Sequence, residues 1–505
     1  MTGRRRVAIG APTDAAADAG AAVVRSGGNA VDAALAAAAV TMVNEIGIVS
    51  PSAGAFITVQ TADGAPPMSI DGWVDMPGRS HRHRFGTGTT DVDTEYGGGL
   101  QITVGPGSVA THGAVAAFGE AHRRWGAAAW EALFEPAIDV ATDGFSLGSA
   151  SRFYLGYVRD VIYGVDDASR RLLSGPDDTP IRIPELADSL RRIGTRGPDE
   201  MYTGDLGIAV ADDIVARGGL LGVDDLAAYR PVVRPSLTVS SGDWTLGTNP
   251  PPSVGGVGVA AMLALLGDRP RDGRWDVADV DRLVDVQRSV LGYRRDMLEP
   301  AGDLHRAATD YLALLAGGGG LFPGSGSTVQ VSTVDTDGTA CSLTMSSGYG
   351  SGLIARDTGI WLNNCLGEQE LNPHGLHGLV PGRRLLSNMA PTVGRKAGDG
   401  RVGGPRRDIG AMLAIGSPGA DRIATALAQV IAGFVNGGMT VQAAIDHPRL
   451  HVHHAGRADE QVMREAYPTM YYGGVIAALL HPDATVEAAT DPRRDGATRI
   501  DVVGG

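Results

Sequence analysis

The chain has 505 residues, 43% of them hydrophobic and 20% charged, with a formal net charge of −14. That composition supplies ample core, and the acidic balance argues against nucleic acid and anionic membranes as main partners, leaving a small solute as the expected ligand. Its only two cysteines, Cys341 and Cys365, rule out a disulfide framework as the stabilising device. The most apolar run, Ala33 to Val43, falls well short of the about twenty residues that a membrane-spanning helix needs. Charges interrupt the VAIGAPTDAAADAG segment after Arg6, where a secretory signal would keep an apolar core, so a cytoplasmic location is expected.

In chain order, Thr13 to Arg25 has apolar residues at helical spacing and stops at Gly27-Gly28; Asn29 is placed to cap a second helix, Ala30 to Glu45. The alanines of GGNAVDAALAAA point to close helix packing. Pro51 to Val59 reads as a loop entering a strand, with Ala62-Asp-Gly64 as a hairpin turn. Helices are predicted over Ala114 to Trp125, Trp130 to Thr142, Ile183 to Ile193, Leu206 to Arg217 and Val223 to Tyr229. Short strands at Leu237 to Val239 and Trp244 to Thr248 precede the helix Val257 to Leu266, and a long helix follows over Asp276 to Met297. Nothing reads as an exposed linker between independent folds.

The most informative stretch is GGGGLFPGSGSTVQVSTVDTDGTACSLTMSSGYGSG, Gly317 to Gly352. Its glycine-rich start has little preferred conformation and delivers Thr328 to an alternating strand. Asp335 to Gly338 is a hairpin turn and Ala340 to Met345 the returning strand. Cleavage of the Ser327–Thr328 bond would give Thr328 a free α-amine of pKa about 7.7 to 8, able to serve as base for the hydroxyl of the same residue. An ordinary strand threonine is the competing reading. Further on, Tyr349 to Ile354 and Gly359 to Asn364 read as strand, turn, strand. Four histidines between 447 and 454 invite a metal reading, with a histidine-bearing strand as the competing one, and no metal or cofactor is expected.

The segment Thr328-Val-Gln-Val-Ser332-Thr-Val-Asp335-Thr-Asp337-Gly338 resembles the motif Thr-Thr-His-x-Ser-Val-x-Asp-x-Asp-Gly of the γ-glutamyltranspeptidases, members of the N-terminal-nucleophile hydrolase superfamily. The second Thr and the His are replaced here. Similar matches occur at GGNAVDAALAAA, Gly105 to Ala110, MYTGDLGIAVADDIVARGG, Asn249 to Gly256, Pro381 to Val393 and Gly416 to Arg422, so the resemblance spans nearly the whole chain.

The resemblance implies an α+β fold, the four-layer αββα sandwich with two stacked antiparallel sheets flanked by helices. It also implies autocleavage into a large subunit, 1–327, with a helical lobe at about 150–310, and a small subunit, 328–505. Thr328 would be the nucleophile and Ser346 a hydroxyl beside it, while the backbone N–H groups of Gly419 and Ala420 would hold the oxyanion. An obligatory positive φ at Ala420, where relatives have glycine, would count against it. Counting from Pro77 places a carboxylate-binding arginine at Arg82, with a solvated basic loop as the competing reading. The sites that hold a glutamyl headgroup fall at Cys365, Glu368, Ser387 and Asn388, a set in which only one acid remains. A Cys365 nucleophile with His374 or His377 as base explains fewer residues.

The leading expectation is a self-cleaving acyltransferase or hydrolase forming a covalent acyl-enzyme from γ-glutamyl or similar amides, with a small amide or amino-acid-like substrate and no nucleic-acid or membrane partner. One alternative is a homologue from an antibiotic pathway that cleaves a C–C bond, removing an oxalyl-type group from a proline-like intermediate. Another is an unprocessed, non-catalytic binding protein.

Overall fold

The computed structural model describes residues 4–80, 88–96, 99–176, 179–268, 275–315, 328–368, 372–396 and 410–504. Within them the strands are β1 (Arg6–Ala11), β2 (Gly54–Gln60), β3 (Met68–Gly72), β4 (Thr90–Thr94), β5 (Leu100–Val104), β6 (Val232–Pro235), β7 (Leu237–Ser241), β8 (Trp244–Thr248) and β9 (Val329–Asp335). They continue with β10 (Ala340–Ser346), β11 (Thr392–Lys396), β12 (Ala411–Gly416), β13 (Leu450–His453), β14 (Gln461–Arg464), β15 (Ile476–Leu480), β16 (Val486–Thr490) and β17 (Ala497–Val502). The first main sheet runs β17-β1-β9-β10-β2-β3-β6 and the second β16-β15-β12-β11-β8-β7; β4–β5 and β13–β14 form separate pairs. All pairings are antiparallel, and β9 with β10 and β2 with β3 are the two hairpins predicted from sequence.

The alternation in β9 and β10 explains how one hairpin can be buried on both sides. Val329, Val331, Cys341, Leu343 and Met345 face a helical layer and join its core. The other face looks toward the second sheet. There Val334 and Ala340 meet Val393, Met412, Ala414 and Ala478 in an apolar layer of short side chains, while Gln330, Ser332, Ser342 and Thr344 form a polar one nearer Thr328.

Helix Ala30–Asn44 is buried along its whole length and packs across β9 and β10. Asn29 caps it by accepting from the N–H groups of Val31 and Asp32 at 2.8 and 3.1 Å, and Asp32 returns the bond to Asn29 at 3.0 Å. Helices Asp14–Arg25 and Ala114–Trp125 complete this layer; Val254–Leu266 and Arg422–Val435 cover the other sheet. The result is the four-layer αββα sandwich. Among the described residues, no helix is long and apolar enough to cross a membrane.

Two expectations are corrected. The segment about 150–310 is not one helical lobe: β6, β7 and β8 interrupt it, and its helices divide between the cores under the two sheets. The stretch 349–364 is an irregular pair rather than two regular strands: Ser351 N bonds Leu362 O at 3.0 Å, Leu362 N bonds Leu353 O and Ala355 N bonds Ile360 O, both at 2.9 Å, and its isolated bridges are Ile354↔Trp361 and Ser347↔Tyr349. Other backbone groups there bond side chains, with Tyr154 donating to Tyr349 O at 2.6 Å, Ser169 to Gly352 O at 2.6 Å and Asn364 accepting from Tyr349 N at 2.5 Å, which keeps the ladder short.

Candidate active site

Thr328 precedes β9 at the point where the glycine-rich segment meets the sheet. In the β9–β10 register Val329 pairs with Met345, so the next step outward sets Thr328 opposite Ser346. Ser346 closes β10, and its hydroxyl accepts from Gly348 N at 3.0 Å. Both residues are buried, each about 3% exposed. The two hydroxyl residues expected to work together are therefore cross-strand neighbours.

The strand across from them, β12, ends at Gly416 against the Gln330 side chain and runs into Ser417-Pro418-Gly419-Ala420-Asp421. Gly419 has φ +124 and Ala420 φ +73. Among the described residues, neither N–H has a hydrogen-bond acceptor. They sit at the start of helix Arg422–Val435, whose orphan donors and dipole make that end electropositive. Unengaged backbone donors held in a fixed turn are what an oxyanion requires. Ala420 does adopt the positive φ that was set against it. The surroundings hold it there: Arg422 N bonds Gly419 O and Ile423 N bonds Ala420 O, both at 3.1 Å, while Asp421 is locked by Arg422. At Gly419 even a methyl group would come 2.8 Å from Gly473 Cα, so no other residue fits.

The carbonyl of Thr328 accepts from Arg494 Nη1 at 3.2 Å. Arg494 and Gly419 both line a cavity of about 330 Å³ whose wall includes Tyr96, Phe153, Tyr154, Tyr349 and Tyr471. Tyr96 meets Phe153, Tyr154 and Tyr349 edge to face. Burial pushes the Arg494 guanidinium below its ordinary pKa and the Tyr154 phenol well above its own. Arg422, also on the wall, is held by Asp421 at 2.5 Å and lies over the Tyr471 ring at 4.6 Å.

His451 and His453 on β13 and Asp421 each offer a ligand atom within 4.8 Å of one another, an arrangement that could hold a metal ion. His451 Nε2 stands 3.2 Å from Asp421 Oδ2, and burial keeps both imidazoles below their usual pKa and hence neutral. Arg422 already occupies the other Asp421 oxygen.

The predicted headgroup residues are not gathered in that cavity. Cys365 packs among Phe56, Trp73, Val74 and Met389; burial, then the charge of Glu368, pushes its thiol well above the usual range, so it is neither a nucleophile nor a polar contact. Glu368 is buried with Oε1 against Gly348, two residues beyond Ser346. The Ser387 hydroxyl accepts from Met389 N at 3.2 Å, and the Ser387 carbonyl from Val254 N at 2.9 Å. Asn388 lies over Gly255, where a methyl group would reach within 1.8 Å of Asn388 O, which explains that glycine of the Asn249 to Gly256 match as a close backbone crossing. Arg82 and Ser327 lie outside the described residues.

A larger cavity, about 670 Å³, is walled by Asp71, Asp75, Arg79, Arg234 and Arg384. Its central charges answer one another, with Arg384 at 3.1 Å from Asp71 and 2.7 Å from Asp75, and Arg234 at 2.8 Å from Asp71. Sequence reasoning missed Arg494, Tyr96 and Tyr349, since a lone arginine or tyrosine has no signature until the fold brings it to a cavity.

Two antiparallel sheets between helical layers, with a hydroxyl residue opening a central strand, define the N-terminal-nucleophile hydrolase class. A cephalosporin acylase from Bacillus halodurans has the same fold, with TM-score 0.79 at 20% identity over 98% of this chain and 96% of that one. Residues 16–315 and 322–500 match the model of the Gamma-glutamyltranspeptidase family, and the chain belongs to that family as an enzyme of transferase or hydrolase type. It is 27% identical to a glutathione hydrolase proenzyme of Pseudomonas aeruginosa, over 97% of this chain and 93% of the relative. It is likewise 28% identical to an acylase ACY 1 proenzyme of Pseudomonas sp. (strain SE83), over 97% and 92%.

Proposed function

We propose that the chain cleaves itself between Ser327 and Thr328 and then works as an N-terminal-threonine acyltransferase or hydrolase on γ-glutamyl or similar amides. The observation that carries this reading is the pair of unengaged N–H groups at Gly419 and Ala420, in the turn whose glycine shares a cavity with the arginine bonded to Thr328. In each turnover the Thr328 hydroxyl adds to the acyl carbonyl and gives its proton to the residue's own α-amine. The C–N bond then breaks, the departing nitrogen takes that proton, and water or an acceptor amine cleaves the resulting ester. Ser346, across the hairpin, supports the nucleophile, and the two N–H groups carry the charge on oxygen, a role in which a single donor contributes about 3 to 4 kcal/mol in oxyanion holes generally. The proenzyme names of two relatives support processing.

The test is the intact mass of the purified protein. Two fragments split before Thr328, replaced by one full-length species in Thr328→Ala with loss of γ-glutamyl anilide turnover, would bear the reading out. A single uncut species with full activity would overturn it. The C–C cleavage alternative gains from the placement of Cys365 in an apolar cluster, which leaves the glutamyl amine site incomplete. Release of oxalate in place of nitroaniline marks that outcome.

A further inference from the structure

Three side chains beside the Gly419-Ala420 turn converge without satisfying one another. His451, fully buried on β13, has Nδ1 at 3.2 Å from the Thr425 hydroxyl. That hydroxyl donates its single proton to Arg422 O at 3.1 Å, so toward the ring it accepts, and the neutral imidazole carries its proton on Nδ1. Nε2 is then a bare lone pair. It stands 3.2 Å from Asp421 Oδ2, yet it has no hydrogen-bond partner among the described residues. His453, two positions along the strand and so on the same face, adds a buried Nδ1 that is likewise without a partner. One ligand atom from each of Asp421, His451 and His453 lies within 4.8 Å of the other two. Lone pairs gathered in a dry space are costly until a cation takes them.

We propose that Asp421, His451 and His453 bind a divalent transition-metal ion of the zinc type. Two imidazole nitrogens and one carboxylate oxygen suit such an ion, whereas magnesium and calcium ask for six or more oxygens. Tetrahedral zinc sets its nitrogen and oxygen ligands about 3.3 Å apart, so the 3.2 Å between His451 and Asp421 already fits, and a turn of the half-buried His453 ring closes the third side. The Thr425 hydroxyl, anchored on Arg422 O, is the partner that a ligating histidine requires at its other nitrogen. Arg422 Nη1 holds Asp421 Oδ1 at 2.5 Å and thereby turns Oδ2 to the histidines. Its charge also lowers the affinity, which should be about micromolar rather than that of a closed structural site. Arg294, the other cation near Asp421, is answered by Glu299 at 2.7 Å. Three protein ligands leave a fourth position, and since Gly419, Arg422 and His453 wall one cavity, it falls to water or to an oxygen of a molecule held there.

The test is metal titration of the full, untagged chain after dialysis against a chelator. Calorimetry should show one Zn²⁺ per chain and no uptake of Mg²⁺, and Co²⁺ in its place should give the intense visible bands of a four-coordinate ion. His453→Gln removes a ligand from a half-buried position and should weaken Zn²⁺ binding by at least about tenfold, with an unchanged circular dichroism spectrum to show that the fold is kept. Thr425→Val removes only the hydroxyl behind His451 and should weaken it by about tenfold. His454, stacked on His453 at 3.8 Å but engaged with Asp459 at 2.6 Å, is the control, and His454→Gln should leave the affinity as it was. No Zn²⁺ uptake, uptake untouched by His453→Gln, or uptake lost in His454→Gln instead would overturn the assignment. Nothing in these measurements depends on turnover or on the cut before Thr328, so this site and the acyl-transfer reading fail separately.

Discussion

At Ala420 the backbone takes a conformation that an L side chain adopts only at a cost of about 1 to 2 kcal/mol, and its N–H is left without an acceptor among the described residues. His112 shows another buried cost, this one tied to pH. The ring is fully buried with Nε2 3.3 Å from Met201 O, and burial pushes its pKa down to about 4. An unfolded histidine titrates near 6.5, so between those values the unfolded chain binds the extra proton and stability is lost as pH falls. The expected loss is about 3 kcal/mol from pH 7 to pH 4. Urea midpoints measured across that range should fall less steeply for His112→Gln than for the unaltered chain; parallel slopes would remove His112 as the source.

At the scale of elements, the β9–β10 hairpin was legible because alternation and an Asp-x-Asp-Gly turn are local signals, and helix Ala114–Trp125 matched its predicted ends. The polar layer between the sheets was not legible. Gln330, read as a departure from the histidine of the resembling motif, bonds the hydroxyls of Ser332 and Ser342 at 3.0 Å and accepts from Thr344 at 2.6 Å. Ser332 and Ser342 in turn donate to Ile476 O and Ile415 O on the facing sheet, both at 2.9 Å. These four side chains come from two strands and speak to a third and fourth, pairings that sequence spacing does not encode. Gln330→Leu should cost about 2 to 3 kcal/mol by leaving Thr344 and its neighbours short of partners in a dry layer, seen as a lower denaturation midpoint. Gln330→Glu, which keeps the acceptor but adds a buried charge, should cost more.

At the scale of the molecule, the segments before and after Thr328 are woven through one another. β1 lies between β17 and β9, and β10 pairs with β2, while β11 of the second sheet pairs with β8. Composition and motif order singled out Thr328 and the Gly419-Ala420 turn, but which strands would be neighbours depends on contacts hundreds of residues apart, and the C-terminal strands carried no signal beyond a short apolar run. A cut before Thr328 would free no piece, because separating the halves means stripping hydrogen-bonded ladders in both sheets at once. Processed protein should therefore elute as one species of the full 52.1 kDa on gel filtration and split only under denaturing conditions.

The pairing of β1 with β17 sets Arg6 beside Val502, and Val503 N bonds Arg5 O at 2.9 Å, so the beginning and end of the described chain are neighbours. A short peptide could splice them. The gene could then be reopened to start at codon 328, giving a rearranged polypeptide whose very first residue, once the initiator methionine is trimmed, is threonine. Such a permuted protein would be born already matured, and its competence or silence would tell ripening apart from turnover in a single preparation.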